Sequence, residues 1–86
     1  MSEEKEIGKI EHFFSKIQVA AIKITSDELK IGDIIRIKGN TTDFIHIVDS
    51  MQVNYQPVQF AKTGDSIGIK VKGQCRDNDI VYRIIQ

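Results

Sequence analysis

Two histidines, His12 and His46, and a single cysteine, Cys75, are the side chains here best suited to binding a metal or moving a proton at neutral pH. A metal centre needs at least three donors at matched spacing, and these three lie far apart with no ligand pattern between them. Cys75 has Arg76 beside it, but a nucleophilic thiol needs a basic partner and a lowered pKa, and a cysteine in a turn at a strand end is more often incidental. The carboxylates Asp27, Glu28, Asp33, Asp49, Asp65, Asp77 and Asp79 invite a paired acid–base site. Most of them fall at turns, where aspartate is favoured for bonding its own backbone. Asp77-Asn78-Asp79 resembles the start of a calcium loop but lacks the central glycine and the distal glutamate, so it reads as a turn. The expectation is a chain that is not an enzyme and needs no metal or cofactor.

The cations form a more suggestive pattern. Arg36 and Lys38 leave one predicted strand on the face opposite Ile35 and Ile37. Lys70 and Lys72 leave another in the same way, and Arg76 follows. If those strand ends meet, the five residues share a basic surface that would contact phosphates through counterion release. The alternative is a solvated exterior, where lysine is the usual outward residue and blunts edges. Phe13, Phe14, Phe44 and Tyr55 are the candidate stacking platforms.

The elements that must position these residues are strands. Gly64-Asp65 reads as a tight turn, after which Ile67, Ile69 and Val71 fall on one face and Gly68, Lys70 and Lys72 on the other. The same device occurs at Gly32-Asp33, ahead of Ile34 to Lys38. Gly32, Asp33, Gly64, Asp65 and Gly68 are therefore the structural turn and strand positions. Further strands are predicted over 7–14, 17–24, 43–51 and 80–85. In the 43–51 strand, Phe44, His46 and Val48 alternate with Ile45, Ile47 and Asp49, so both faces carry apolar groups and its inward face stays open. Val53 to Lys62 holds the only proline, Pro57, and reads as a loop or irregular edge passage. Isoleucine and valine are abundant, and no segment has a convincing helical period.

Eighty-six residues make one domain, with 1–5 expected as a flexible tail and 6–86 as a single barrel. Twelve basic and twelve acidic side chains cancel, so bulk charge argues for neither nucleic acid nor membrane. One cysteine permits no internal disulfide, which makes a reducing cytoplasm the expected location. No run approaches a membrane span, and the acidic start lacks the apolar stretch of a secretory signal.

Nearly the whole chain resembles domain 2 of the translational GTPases, the β-barrel beside the GTPase domain in elongation factor Tu. The matching residues are Val19-Ala20-Ala21, Leu29-Lys30-Ile31-Gly32-Asp33 with Ile35 and Ile37, Val48-Asp49-Ser50-Met51, and Ala61 to Gly68. The likeness implies an all-β, closed six-stranded barrel of the translation-factor domain 2 type, standing alone. It departs from the family at Ile22, where the carriers have glycine, and at Phe14-Ser15-Lys16-Ile17, where they have a glycine-rich hairpin. No phosphate-binding loop is present, so no GTP is expected on this chain. Similar barrels also end some U32-peptidase-like proteins, several of them tied to RNA modification. The resemblance implies a binding module that contacts ribosomal or transfer RNA, or a protein, with Arg36, Lys38, Lys70, Lys72 and Arg76 as the RNA-facing residues. The alternative function is a protein–protein adaptor, or a detached accessory domain docking on a larger enzyme.

Overall fold

The computed structural model describes residues 3–85, all of whose regular structure is β. Ten strands run in chain order: β1 Glu3–Phe14, β2 Val19–Ile24, β3 Glu28–Lys30, β4 Ile34–Lys38, β5 Asp43–Ile47, β6 Gln52–Val53, β7 Gln56–Pro57, β8 Phe60–Lys62, β9 Ser66–Lys70 and β10 Ile80–Ile85. Eight of them form one antiparallel ladder in the order β5-β4-β10-β1-β2-β9-β6-β7, and β3 pairs with β8 separately. Of the expected tail, Met1 and Ser2 lie outside the described residues, and Glu3, Glu4 and Lys5 pair with Ile85, Ile84 and Arg83.

The expected closed barrel of six strands is corrected to an open ladder. β5 and β7 stand at its two ends and are not paired with each other. The physical reason lies in β6 and β7, the strands that would have to close it. Each is two residues long, and Pro57 in β7 has no N–H to offer a neighbour. Both hairpins continue a residue or two past their strands, where Gly32 N–H donates to the Val48 carbonyl at 2.8 Å beyond the β4–β5 pair and Val58 N–H to the Met51 carbonyl at 3.0 Å beyond the β6–β7 pair.

The core follows from alternation in β2, β4 and β9. Ala20, Ile22 and Ile24, then Ile35 and Ile37, then Ile67 and Ile69 are buried, with outward residues between them. β1 breaks the alternation. Its register shifts between Glu6 and Gly8 against β10, and between Ile10 and His12 against β2. These bulges let Ile7 and Ile10 both face the core, which a regular strand could not do.

The repeated Gly-Asp segments pair with each other. Leu29 sits opposite Ala61 and Lys30 opposite Phe60, so the two residue runs that precede the turns form the small sheet. In each turn the aspartate carboxylate accepts a bond from the N–H three residues earlier: Lys30 to Asp33 and Lys62 to Asp65, both at 3.0 Å. Gly32 and Gly64 supply the left-handed conformation, with φ of 96° and 98°. A third copy of the device closes the turn before β10. There Arg76 N–H donates to the Asp79 carboxylate at 2.8 Å, and Asn78, with φ of 72°, stands where the others have glycine. Gly68 lies within β9, opposite Ala21 of β2.

Candidate functional site

Three surface features carry functional potential, and each is set by where a strand ends or loses its neighbour. The first is the outer edge of β5. Its inward residues are Phe44 and His46, followed by buried Val48 just past the strand, and Ile45 and Ile47 face out, about 60% exposed. Phe44 seals against the backbone of Gly73, where an added Cβ would lie 2.9 Å from its ring.

The second is a cleft of about 440 Å³ beside the C-terminal end of β5, lined by His46, Asp49, Ser50, Lys70, Val71 and Lys72. His46 is only 7% exposed, and its Nε2 has no hydrogen-bond partner among the described residues. Burial pushes the imidazole below its ordinary pKa. Asp49 pulls it back, Lys72 depresses it further, and a hydrogen bond to the Lys70 backbone opposes the shift.

The third is an apolar groove of about 430 Å³ on the outer face of β2 and β9, walled by Phe14, Ile17, Val19, Ala21 and Tyr55. Tyr55 is 95% exposed at the tip of the β6–β7 turn, with φ of 65°.

The predicted cations separate into two groups. Lys70 and Lys72 meet in the cleft, with no ion pair to either among the described residues. Arg36 is held elsewhere, on the outer face of β4. It is bidentate to Asp43 at 2.7 and 2.9 Å and reaches Glu4 at 2.7 Å, so its charge is answered on two sides. The pair holds the Asp43 carboxyl below its usual range. Lys38 is exposed two residues further along the same strand, and Arg76 is exposed in the turn before β10. Arg83, absent from the expected set, donates to Asp27 at 2.8 Å, and Lys5 lies 3.3 Å from the same carboxylate.

Cys75 is buried, and burial raises its thiol to about 11, with Asp79 and Asp77 adding to the shift. That is the opposite of what activates a nucleophile. His12 is a surface residue, 3.5 Å from Asp77 and edge-on to Phe14. No group of three or more metal-binding side chains occurs among the described residues. No helix there is long and apolar enough to cross a membrane.

No protein-family profile matches the sequence. Individual proteins do. Over 78 residues the chain is 44% identical to an uncharacterized protease of Methanocaldococcus jannaschii and 41% identical to a collagenase of Porphyromonas gingivalis. Each match takes in 90% of this chain but only 19% and 22% of those proteins, so the chain spans about a fifth of the length of the curated relatives it matches. The names correct two expectations together. The relatives are a protease and collagenases rather than translation factors, so neither the translational-GTPase resemblance nor the RNA-binding module drawn from it stands. The expectation that the chain is not an enzyme is overturned by the same names, which point to a peptidase family of whose members this chain is only a small part. Among solved structures, the chain is similar to the C-terminal domain of a Geobacillus thermoleovorans protein described as a U32 peptidase. The TM-score is 0.83 at 12% identity, with 90% of this chain and 89% of that one covered. The selenomethionine variant of the same domain gives 0.84. The fold is that of a U32-peptidase C-terminal domain.

Proposed function

We propose that this chain is the accessory β-domain of a U32-peptidase-type enzyme, docking on the larger body that carries the rest of that enzyme. The observation that carries the reading is one of proportion. Nine tenths of this chain matches, at over 40% identity, a segment that makes up about a fifth of a protease and of a collagenase. The chain has its own core, from Ile7 to Val81, and so is built as a self-contained unit. It also leaves Ile17, Ile45, Ile47, Tyr55 and Phe60 largely exposed, more large apolar surface than so small a domain needs to show water. A docking body would cover part of it. A cytoplasmic location fits the one reduced, buried thiol.

A chimaera tests the reading. This chain replaces the 78 matching residues of the Methanocaldococcus jannaschii protein. The expected product melts in a single cooperative transition and keeps the relative's peptide-hydrolysing activity, because the graft re-forms the docking contacts. Two independent transitions, with a body that behaves the same whether or not the segment is present, would overturn it.

A further inference from the structure

The unpaired edge of β5 has a defined recognition chemistry. In the hairpin of β4 and β5, Gly39 N–H donates to the Thr42 carbonyl at 2.7 Å, and at the other end Val48 N–H donates to the Asp33 carbonyl at 2.9 Å. The alternation of an antiparallel ladder then sends the backbone bonds of Phe44 and His46 to β4. The N–H and C=O groups of Asp43, Ile45 and Ile47 turn the other way. β5 pairs with no strand but β4, and no backbone or side-chain bond reaches those of Ile45 and Ile47 among the described residues. A short row of donors and acceptors therefore faces outward, beside two exposed isoleucine side chains.

The inward side of the same edge differs in character. His46 projects there between the two isoleucines, into the lining of the cleft that also holds Lys70 and Lys72. β4 contributes nothing to that lining, and a residue opposite His46 on an added strand would stand on the same face as His46. Its charge is unbalanced, two ammonium groups against the single carboxylate of Asp49. His46 Nε2 is buried without a partner.

We propose that the free edge of β5 takes an extended peptide strand of the pattern apolar–acidic–apolar. The apolar side chains cover Ile45 and Ile47, and the acidic one between them points into the cleft toward Lys70 and Lys72. Backbone bonds to Ile45 and Ile47 supply the affinity, and the alternating side chains supply the selectivity. The acidic oxygens meet two ammonium groups, and they offer an acceptor to His46 Nε2, which is buried without a partner. A second copy of this chain fits the edge poorly. Register centred on Ile45 sets Asp43 against Ile47 of the other copy, and register centred on His46 sets Asp43 against Asp49. The partner strand belongs instead to the enzyme body, a clause that rests on the accessory-domain reading; the peptide chemistry does not.

The test is an amide chemical-shift titration of the chain with three blocked synthetic peptides. One has a Val-Glu-Val core, one Val-Gln-Val, and one the same residues as the first in scrambled order. The Val-Glu-Val peptide is expected to shift the amides of Asp43 to Ile47 and Lys70 to Lys72, and to bind about tenfold more tightly than Val-Gln-Val. The Lys70→Gln/Lys72→Gln variant, folded by its own spectrum, should lose that preference, and Ile45→Thr/Ile47→Thr should weaken both peptides alike. Absent shifts, shifts centred elsewhere, or equal binding of the Glu and Gln peptides would overturn the proposal. So would concentration-dependent broadening at β5 without peptide, which would make a second copy the occupant. The two readings fail separately. A chain that binds the enzyme body undisturbed by Ile45→Thr/Ile47→Thr sinks the edge and spares the accessory domain. A chain that binds the Val-Glu-Val peptide at β5 but not the body does the reverse.

Discussion

Asp33, Asp65 and Asp79 perform one task in three places. Each carboxylate satisfies the N–H three residues earlier and so pins the turn that launches a strand. Replacing any of them by Ala should cost about 1–2 kcal/mol in thermal or denaturant unfolding, most at Asp79, which is buried. Gly32→Ala and Gly64→Ala should cost about 1–2 kcal/mol each through backbone strain alone, because a Cβ there meets nothing within 4 Å. Asn78→Gly should be neutral or stabilising, since Asn78 already holds a positive φ. Equal costs for Asn78→Gly and Gly32→Ala would show that φ is not what matters there. Two of the three turns were legible, because Gly-Asp announces itself. The third was read as an ordinary turn because asparagine stands in the glycine's position, and only backbone angles reveal the equivalence. In the core, Ile35→Ala or Ile69→Ala should cost roughly 2–5 kcal/mol, and Lys38→Ala or Lys72→Ala well under ~1. The buried positions of β4 and β9 could be read directly, since each alternates apolar with polar. What could not be read was the fate of Arg36. Its partners Asp43 and Glu4 lie on two other strands, and nothing local in the sequence shows that the guanidinium is already engaged.

At the scale of elements, legibility tracked length and regularity. β3, β6, β7 and β8 are two or three residues each, too short to carry a periodic signal, and merged into predicted connections. β1 was found, but its two bulges shift the phase and defeat any alternation argument. β5 was ambiguous for a physical reason. A strand with apolar residues on both faces is either buried on both sides or waiting for a neighbour, and here it stands at the ladder's end. Its inward face can be checked by substitution. Gly73→Ala should cost about 1–3 kcal/mol, because the new methyl would force the Phe44 ring to move. Ile45→Thr/Ile47→Thr should stay within ~0.5 kcal/mol per site, as exposed changes do. A larger loss for the isoleucines than for Gly73→Ala would mean that β5 presents its other face to the core.

The whole molecule is electrically neutral by count, and its pH dependence comes from a few placed groups. His46 titrates below its ordinary value in the folded state, so the unfolded chain binds more protons as the pH drops. Stability should therefore be full above about 6.5 and decline as pH falls below it, and His46→Phe should remove that decline. Cys75 runs the other way. Its folded thiol titrates near 11, so stability should be full below the ordinary thiol value near 9 and fall as the pH rises between the two. Melting curves across pH 5 to 11 would read both, and a flat profile would contradict both placements. Architecture at this scale was legible as all-β. Closure was not, because it depends on two-residue strands and on Pro57. The family was misread for a related reason: the Gly-Asp strand pattern specifies a shape, and a shape recurs among proteins of different work.

The central claim is that this domain belongs against a larger enzyme body. It is tested most directly by preparing the Methanocaldococcus jannaschii relative without its matching 78 residues and mixing it with this chain for size-exclusion chromatography with light scattering. The chain at 44% identity should still recognise the body, and the two should elute as a one-to-one complex whose mass is their sum. Solubility of the truncated body alone, followed by circular dichroism, controls for its folding. If a folded body and this chain elute separately at every concentration tried, the domain is not an accessory of such an enzyme.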